Sequence, residues 1–251
     1  MATATTQDSP TDITDKAAQY LEAIYLLISE DRPAIAARVA EIVGVTPPTV
    51  LETLRRLQRQ GLIRMTQRKE IRLTEQGREH AERLMRRHRL MERFLTDVLG
   101  LDWRQAHEEA ERLEHAVSPL LEERLAAVLG DPATCPHGNP IPGSRSASLL
   151  DLSPQVRLSE CSGGQEATVV RIEEAAEWDL DLLTFFERHR IKPGETLHIL
   201  VVADFNDTIT VETSDGDVVL GKKAAERVWV HPTPVAVEDD TSLRAPAAVV
   251  G

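Results

Sequence analysis

The chain has 251 residues, 41% hydrophobic and only 4% aromatic, with a formal net charge of −12. At about 100–200 residues per domain this is room for two or three domains with cores of Leu, Val, Ile and Ala, and the acidity excludes a protein that is basic over its whole surface. Cys135 and Cys161 make neither a disulfide framework nor a Cys-x-x-Cys zinc motif, and no apolar run reaches the ~18 residues of a membrane span, so a soluble cytoplasmic protein with no membrane partner is expected.

Residues 1–12 are small and polar, and disorder is expected there. From Thr14, the run TDKAAQYLEAIYLLISED places Ala17, Tyr20, Leu21, Ile24 and Leu27 or Ile28 at helical spacing, with Thr14 or Asp15 as the N-cap. PAIAARVAEIVG reads as a short helix closed by Gly44. TPPTVLETLRRLQRQG reads as a third, opened by Thr46, with proline in its first turn and Gly61 at its end. Two short helices separated by GVT have the arrangement of a helix-turn-helix. LIRMTQRKEIRLT follows as two β-compatible runs joined by a polar turn at 67–70, the pattern of a wing.

Charge is distributed to match. Between Thr46 and Arg72 stand Arg55, Arg56, Arg59, Arg64, Arg68, Lys69 and Arg72, against only Glu52 and Glu70. An acidic chain has gathered positive charge where a recognition helix and wing would meet phosphates. The plainer alternative is a small helical domain with an Arg-rich solvated face.

Two longer helices are expected across 75–129, EQGREHAERLMRRHRLMERFLTDVLG and RQAHEEAERLEHAVSPLLEERLAAVLG. Leu84, Leu90, Phe94 and Leu95, with Leu113, Val117 and Leu121, offer more apolar surface than one hairpin covers, which points to a dimer interface. On an ideal helix at about 100° per residue, His107, Glu111, Glu114 and His115 fall in one arc bordering an apolar stripe. That arc is either a metal site or a face laced with ion pairs such as Glu108 to Arg112. CPHGNPIPGSRSASL is a Pro/Gly/Ser boundary.

Beyond it the period changes. EATVVRIEE, ETLHILVVAD, TITVETSDG, DVVLGKKAAE and RVWV read as strands, interrupted by one helix, DLDLLTFFERHR. The expected fold is mainly α with a β C-terminal domain. It comprises a winged helix-turn-helix over 13–75, a helical dimerisation domain over 76–145, a small SH3-like (FeoA-like) barrel over 152–231 and a disordered tail over 232–251.

MRRHRLMERFLTDVLGLD, HEEAERLEH and GNPIPG, with the winged helix and barrel, resemble the metal-activated repressors of the diphtheria toxin repressor family, including its manganese-responsive branch. The resemblance implies a main divalent-metal site of His88, Glu111, Glu114 and His115 with Gln19 or Glu22 from helix one. It also implies an ancillary site at His88, Glu92 and His107, with Glu177 and Asp181 as the best barrel donors. Glu111 stands where the iron branch has cysteine. Gln19 stands where the iron branch has methionine and the manganese branch aspartate, and Glu22 matches a glutamate of the manganese branch. Thr46, Pro48, Thr49 and Glu52 fall where the family meets its operator. The expectation is therefore a homodimer that binds double-stranded operator DNA when loaded with Mn2+ or Fe2+, two or more ions per subunit, and controls metal-homeostasis genes. A His/Glu bundle metalloenzyme and a winged-helix repressor with an organic effector are the alternatives.

Overall fold

The computed structural model describes residues 13–151, 153–174 and 179–233. The expectation of disorder for 1–12 lies outside these residues, as does most of the expected tail. Pro232 itself closes a strand and the Thr233 amide donates to Glu166 O, so the ordered chain runs two residues into the segment read as tail.

Three helices open the fold: α1 (Asp15–Ser29), α2 (Ala36–Val43) and α3 (Pro47–Arg59). Gly44 ends α2 in the left-handed region at φ 67°, a conformation that costs glycine little, and proline at the N1 position starts α3. The antiparallel strands β1 (Ile63–Met65) and β2 (Ile71–Leu73) form the wing. Ile63 and Ile71 turn inward onto Tyr20, Leu21, Ile24, Leu54 and Leu57, while Arg64 and Arg72 turn outward. An Ile71 amide bond to Ala34 O ties the wing to the loop before α2.

The helical layer is α4 (Glu75–Arg93), a π-helical turn (Phe94–Val98), α5 (Trp103–Leu113), a 3-10 turn (Glu114–Ala116) and α6 (Pro119–Val128). Its second long helix is thus not continuous as expected. Val117 is extended and Pro119, which cannot continue the hydrogen-bond ladder, starts a new helix capped by Ser118. The ion pairs also differ from expectation: Arg104 meets Glu108, and Arg112 turns back to Glu109 rather than to Glu108.

Six antiparallel strands make the C-terminal domain: β3 (Val156–Arg157), β4 (Glu166–Ile172), β5 (Thr196–Ala203), β6 (Thr208–Thr213), β7 (Gly216–Gly221) and β8 (Val228–Pro232), in the order β3-β8-β4-β5-β6-β7. Helix α7 (Leu180–Arg188) links β4 to β5. DVVLGKKAAE is not one strand, because its KKAA segment forms the short helix α8 (Lys222–Ala225). Alanine and lysine favour the helix once the alternation of β7 stops at Gly221.

Of the residues assigned to a dimer face, Leu90, Leu95 and Val117 are instead buried within the chain. The break at Val117 folds α6 back so that Leu125 packs in one cluster with Leu95 and Val117, and Ala126 in another with Leu90 and Ile141. Val98, Leu99, Leu113, Leu120, Leu121 and Val128 stay 40–70% exposed on the helical layer. Such an apolar concentration needs a partner surface. Dimers are expected to persist in chelator at micromolar concentration, and a monomer in sedimentation velocity would contradict this.

Candidate metal centre

Helical spacing places the donors. His88 and Glu92 are one turn apart on α4, and His107 and Glu111 one turn apart on α5, so packing α4 against α5 brings both pairs together. Glu114 and His115 enter on the 3-10 turn, and α1 closes the other side. The result is a cavity of about 380 Å3 lined by Gln19, Glu22, His88, His107, Glu111, Glu114, His115 and Glu174, among others.

Buried Glu114 is the common neighbour of two imidazoles: Oε2 lies 2.7 Å from His88 Nδ1 and Oε1 3.5 Å from His115 Nε2. Glu92, fully buried, accepts from both His88 Nε2 and His107 Nδ1 at 3.0 Å. Glu111 sits at the rim, 57% exposed, with Oε1 3.8 Å from His107 Nε2. Burial works against a charged His88, but the carboxylates of Glu92 and Glu114 outweigh it and hold its pKa well above the usual value. For Glu92 burial is likewise outweighed, by His88 and His137, and its pKa lies well below the ordinary carboxylate range.

Glu22 behaves oppositely. Burial first, and the charge of Glu114 second, push its pKa up to about 8, and its enclosed Oε1 has no hydrogen-bond partner among the described residues. An orphaned carboxylate oxygen facing imidazoles and further carboxylates fits a divalent cation. In the metal-free protein, the unfolded chain releases this proton near pH 4.5 while the folded chain keeps it to about 8, so stability falls as pH rises across that window. Glu22→Gln is expected to flatten the fall. Thermal unfolding in chelator between pH 5 and 8 checks this, and a slope equal to the parent's would contradict it.

A second group lies behind the first. Glu92, Cys135 and His137 bring ligand atoms within 4.8 Å of one another, as do His88, Glu92 and His107, and all are buried. His137 Nδ1 is 3.6 Å from Glu92 Oε2 and 3.8 Å from Cys135 Sγ. The loop carrying it lies against β4, with the Ile172 amide donating to His137 O and Asn139 Nδ2 to Ile172 O. Gly138 permits this approach. Its φ is +90°, and a Cβ there would stand 2.3 Å from Val170 O. Gly138→Ala is expected to cost about 2–4 kcal/mol in urea unfolding and to displace His137 from Glu92. An unchanged midpoint would count against the fit.

The barrel's contribution differs from expectation. Asp181 is 94% exposed and pairs with Arg104 at 3.0 Å, because the start of α7 docks on α5 rather than facing the cavity. Glu177 lies outside the described residues. Among the described residues, the barrel residue lining the cavity is Glu174, which is buried and paired with Arg89.

In the winged helix, Thr46 at the N-cap of α3 and Pro48, Glu52 and Arg55 on α3 are exposed, and Thr49 is half-buried with its Oγ1 3.0 Å from that of Thr46. Arg64, Arg68, Lys69 and Arg72 are exposed on the wing, Lys69 at φ 60° in its turn.

Residues 12–71 match the family model "Iron dependent repressor, N-terminal DNA binding domain", 74–143 match "Iron dependent repressor, metal binding and dimerisation domain", and 156–232 match "FeoA domain". The iron-dependent repressor IdeR of Mycobacterium tuberculosis is 38% identical over 212 residues, 82% of this chain and 87% of that protein. The diphtheria toxin repressor of Corynebacterium diphtheriae is 34% identical over 225 residues, 88% of this chain and 98% of that protein. The chain belongs to the diphtheria toxin repressor family. A solved manganese-dependent transcriptional repressor in complex with manganese aligns with TM-score 0.73 and 36% identity, covering 85% of this chain and 98% of the other. The manganese regulator SloR aligns at 0.69 and 28%, covering 86% and 98%.

Within this member of the diphtheria toxin repressor family, sequence reasoning overlooked Cys135, His137 and Glu174. The first two stand as Cys-x-His inside a loop read as a boundary, and the pair of donors two residues apart was the available signal. Glu174 follows a strand and carries no local pattern of its own.

Proposed function

We propose that this chain is a metal-activated, DNA-binding transcriptional regulator, not an enzyme, acting as a cytoplasmic homodimer on operator DNA of metal-homeostasis genes. One observation carries the reading. Helix α1, packed in the core of the winged helix, is also a wall of the donor-lined cavity, so the same element faces the DNA-reading domain and the candidate ligands.

In this reading Glu111, Glu114, His115 and His88, with Gln19 or Glu22, hold one divalent ion. Glu92, with His88 and His107 or with Cys135 and His137, holds a second. Each bound ion supplies positive charge and coordination bonds to a site crowded with carboxylates. Glu22 gives up its proton on loading, which makes metal affinity rise with pH. Gln19 offers a neutral carbonyl oxygen from the same helix. Drawing these α1 side chains toward α4 and α5 fixes the winged helix relative to the dimer, and hence the separation of two recognition helices. Two half-sites then lie about one turn, ~34 Å, apart. The oxygen and nitrogen donors of the main site suit Mn2+, and the Cys135 thiol makes the second group softer.

Arg64, Arg68, Lys69, Arg72 and Arg55 contact phosphates, whereas Thr46, Pro48, Thr49 and Glu52 face base edges. Titrating the full-length protein with Mn2+, or with Fe2+ without oxygen, against DNA from its own upstream region tests the reading. Metal-dependent retardation of specific DNA is the expected result, and binding that ignores chelator would refute it.

A further inference from the structure

Helix α1 ends against the usual electrostatic preference. Its C-cap is Glu30 and its last turn holds no basic residue, so a carboxylate faces the negative end of the helix dipole. The compensating cation comes from the barrel. Arg171 on β4 donates through Nη1 and Nη2 to Glu30 Oε1 and Oε2 at 2.5 and 2.9 Å. Their side chains are only 16% and 6% exposed. Two planar groups meeting in parallel, away from water, give a contact with fixed geometry that a lysine could not reproduce.

Arg171 is itself held in place. Its guanidinium lies 4.7 Å from the centre of the Trp229 ring, and Nη1 is 3.4 Å from Asn139 Oδ1 in the loop that carries His137. One step further along the barrel chain, Glu173 reaches Arg32 at 3.7 Å, just beyond the end of α1. Glu173 is 2% exposed and also takes Arg157 and Arg227, so it too is anchored by the barrel. Meanwhile Glu22 stands eight residues before Glu30, about 12 Å along the same rigid helix.

We infer that the Arg171–Glu30 pair is the fixed end of α1, a positioning contact through which the barrel sets where Gln19 and Glu22 sit in the cavity. The inference rests on the regulator reading for its consequence in DNA binding. With the pair intact, α1 pivots little and its donors are presented near their working positions before any ion arrives. Without it, ordering α1 becomes part of what loading must accomplish. The metal requirement then rises although no ligand has been touched.

A double-mutant cycle of Arg171→Gln and Glu30→Gln in the full-length protein tests this, with dimer formation checked by sedimentation. Glu30→Gln keeps the size of the side chain and its hydrogen-bonding oxygen, so the fold is retained. Two quantities are measured: amide hydrogen exchange across residues 26–30 in chelator, and the Mn2+ concentration for half-maximal binding to the upstream DNA. Each single variant is expected to speed exchange at the end of α1 and to raise the Mn2+ requirement about tenfold, with the double variant no worse than the worse single. Parent-like values in the singles, or effects that add in the double, overturn the inference. The exchange measurement needs neither metal nor DNA. A parent protein that fails to bind DNA would therefore overturn the regulator reading, while the exchange data would still decide whether the pair holds α1.

Discussion

Replacing Glu114 is expected to abolish metal-dependent DNA binding while leaving a folded dimer. Both of its oxygens face imidazoles, His88 on one side and His115 on the other, and it is buried on a 3-10 turn that other residues define. Glu114→Gln keeps the volume and a hydrogen bond to His88 but removes the charge. Glu114→Ala removes both, and leaves His88 with Glu92 as its neighbouring carboxylate on α4. Loss of metal affinity of at least about a hundredfold is anticipated, since outer partners of ligands already cost ten- to a hundredfold. Isothermal titration with Mn2+ and mobility shifts at saturating Mn2+ would show it. If either variant kept the parent's metal response, Glu114 would have to be removed from the centre.

Neutralising the wing is the other large effect, and its sign separates binding from folding. Arg64 and Arg72 are directly opposed across β1 and β2, both exposed. Like charges in that position repel, and Glu70, 3.8 Å from Arg72, offsets this only in part. Among the described residues no ion pair offsets Arg64, whereas a phosphate backbone would relieve the repulsion. Changing Arg64, Arg68, Lys69 and Arg72 together to glutamine is expected to lower affinity for all DNA sequences. It should also reduce the salt dependence, the slope of log K against log salt, by about 3–4 per subunit, or about 7 for the bound dimer. The hairpin itself should become slightly more stable. Unchanged affinity with an unchanged salt slope would remove the wing from the DNA interface.

Much of this molecule was legible in its sequence because local signals agreed. Gly44 and the prolines after Thr46 bracket short helices, and the alternation in EATVVRI and TITVET is that of half-buried strands. Helical spacing alone put His107, Glu111, Glu114 and His115 in one arc, while joining His88 and Glu92 to them came from the resemblance to the metal-activated repressors. That logic did not extend through Ser118, where a continuous helix was expected and a proline restarts one. It also could not rank the apolar positions correctly. Leu90 and Leu113 look alike in sequence, yet the first is covered by Ala126 and Ile141 from later in the chain, and the second is open. Cys135 and His137 reach the centre through the docking of their loop on β4, and Glu174 through its place just after that strand, contacts with no periodicity to read. Asp181 shows the complementary ambiguity: it pairs with Arg104 at an exposed helix start, where acidity satisfies a dipole as readily as a metal.

Trp103 opens α5 in the helical layer, yet its side chain belongs to the same buried hydrophobic cluster as Phe186, Leu183 and Val230 of the C-terminal domain. Its amide donates to Glu187 of α7 at 2.9 Å, and its ring meets the His137 imidazole edge-on at 4.7 Å. The C-terminal domain is therefore not a removable appendage. A chain truncated after the helical layer would leave an indole bare and strip the support from one wall of the inner cluster. A barrel expressed alone would carry a hole of the same shape. Melting of the barrel and of the helical layer should be one cooperative event, so that any exchange of C-terminal modules between relatives must carry the start of α5 with it.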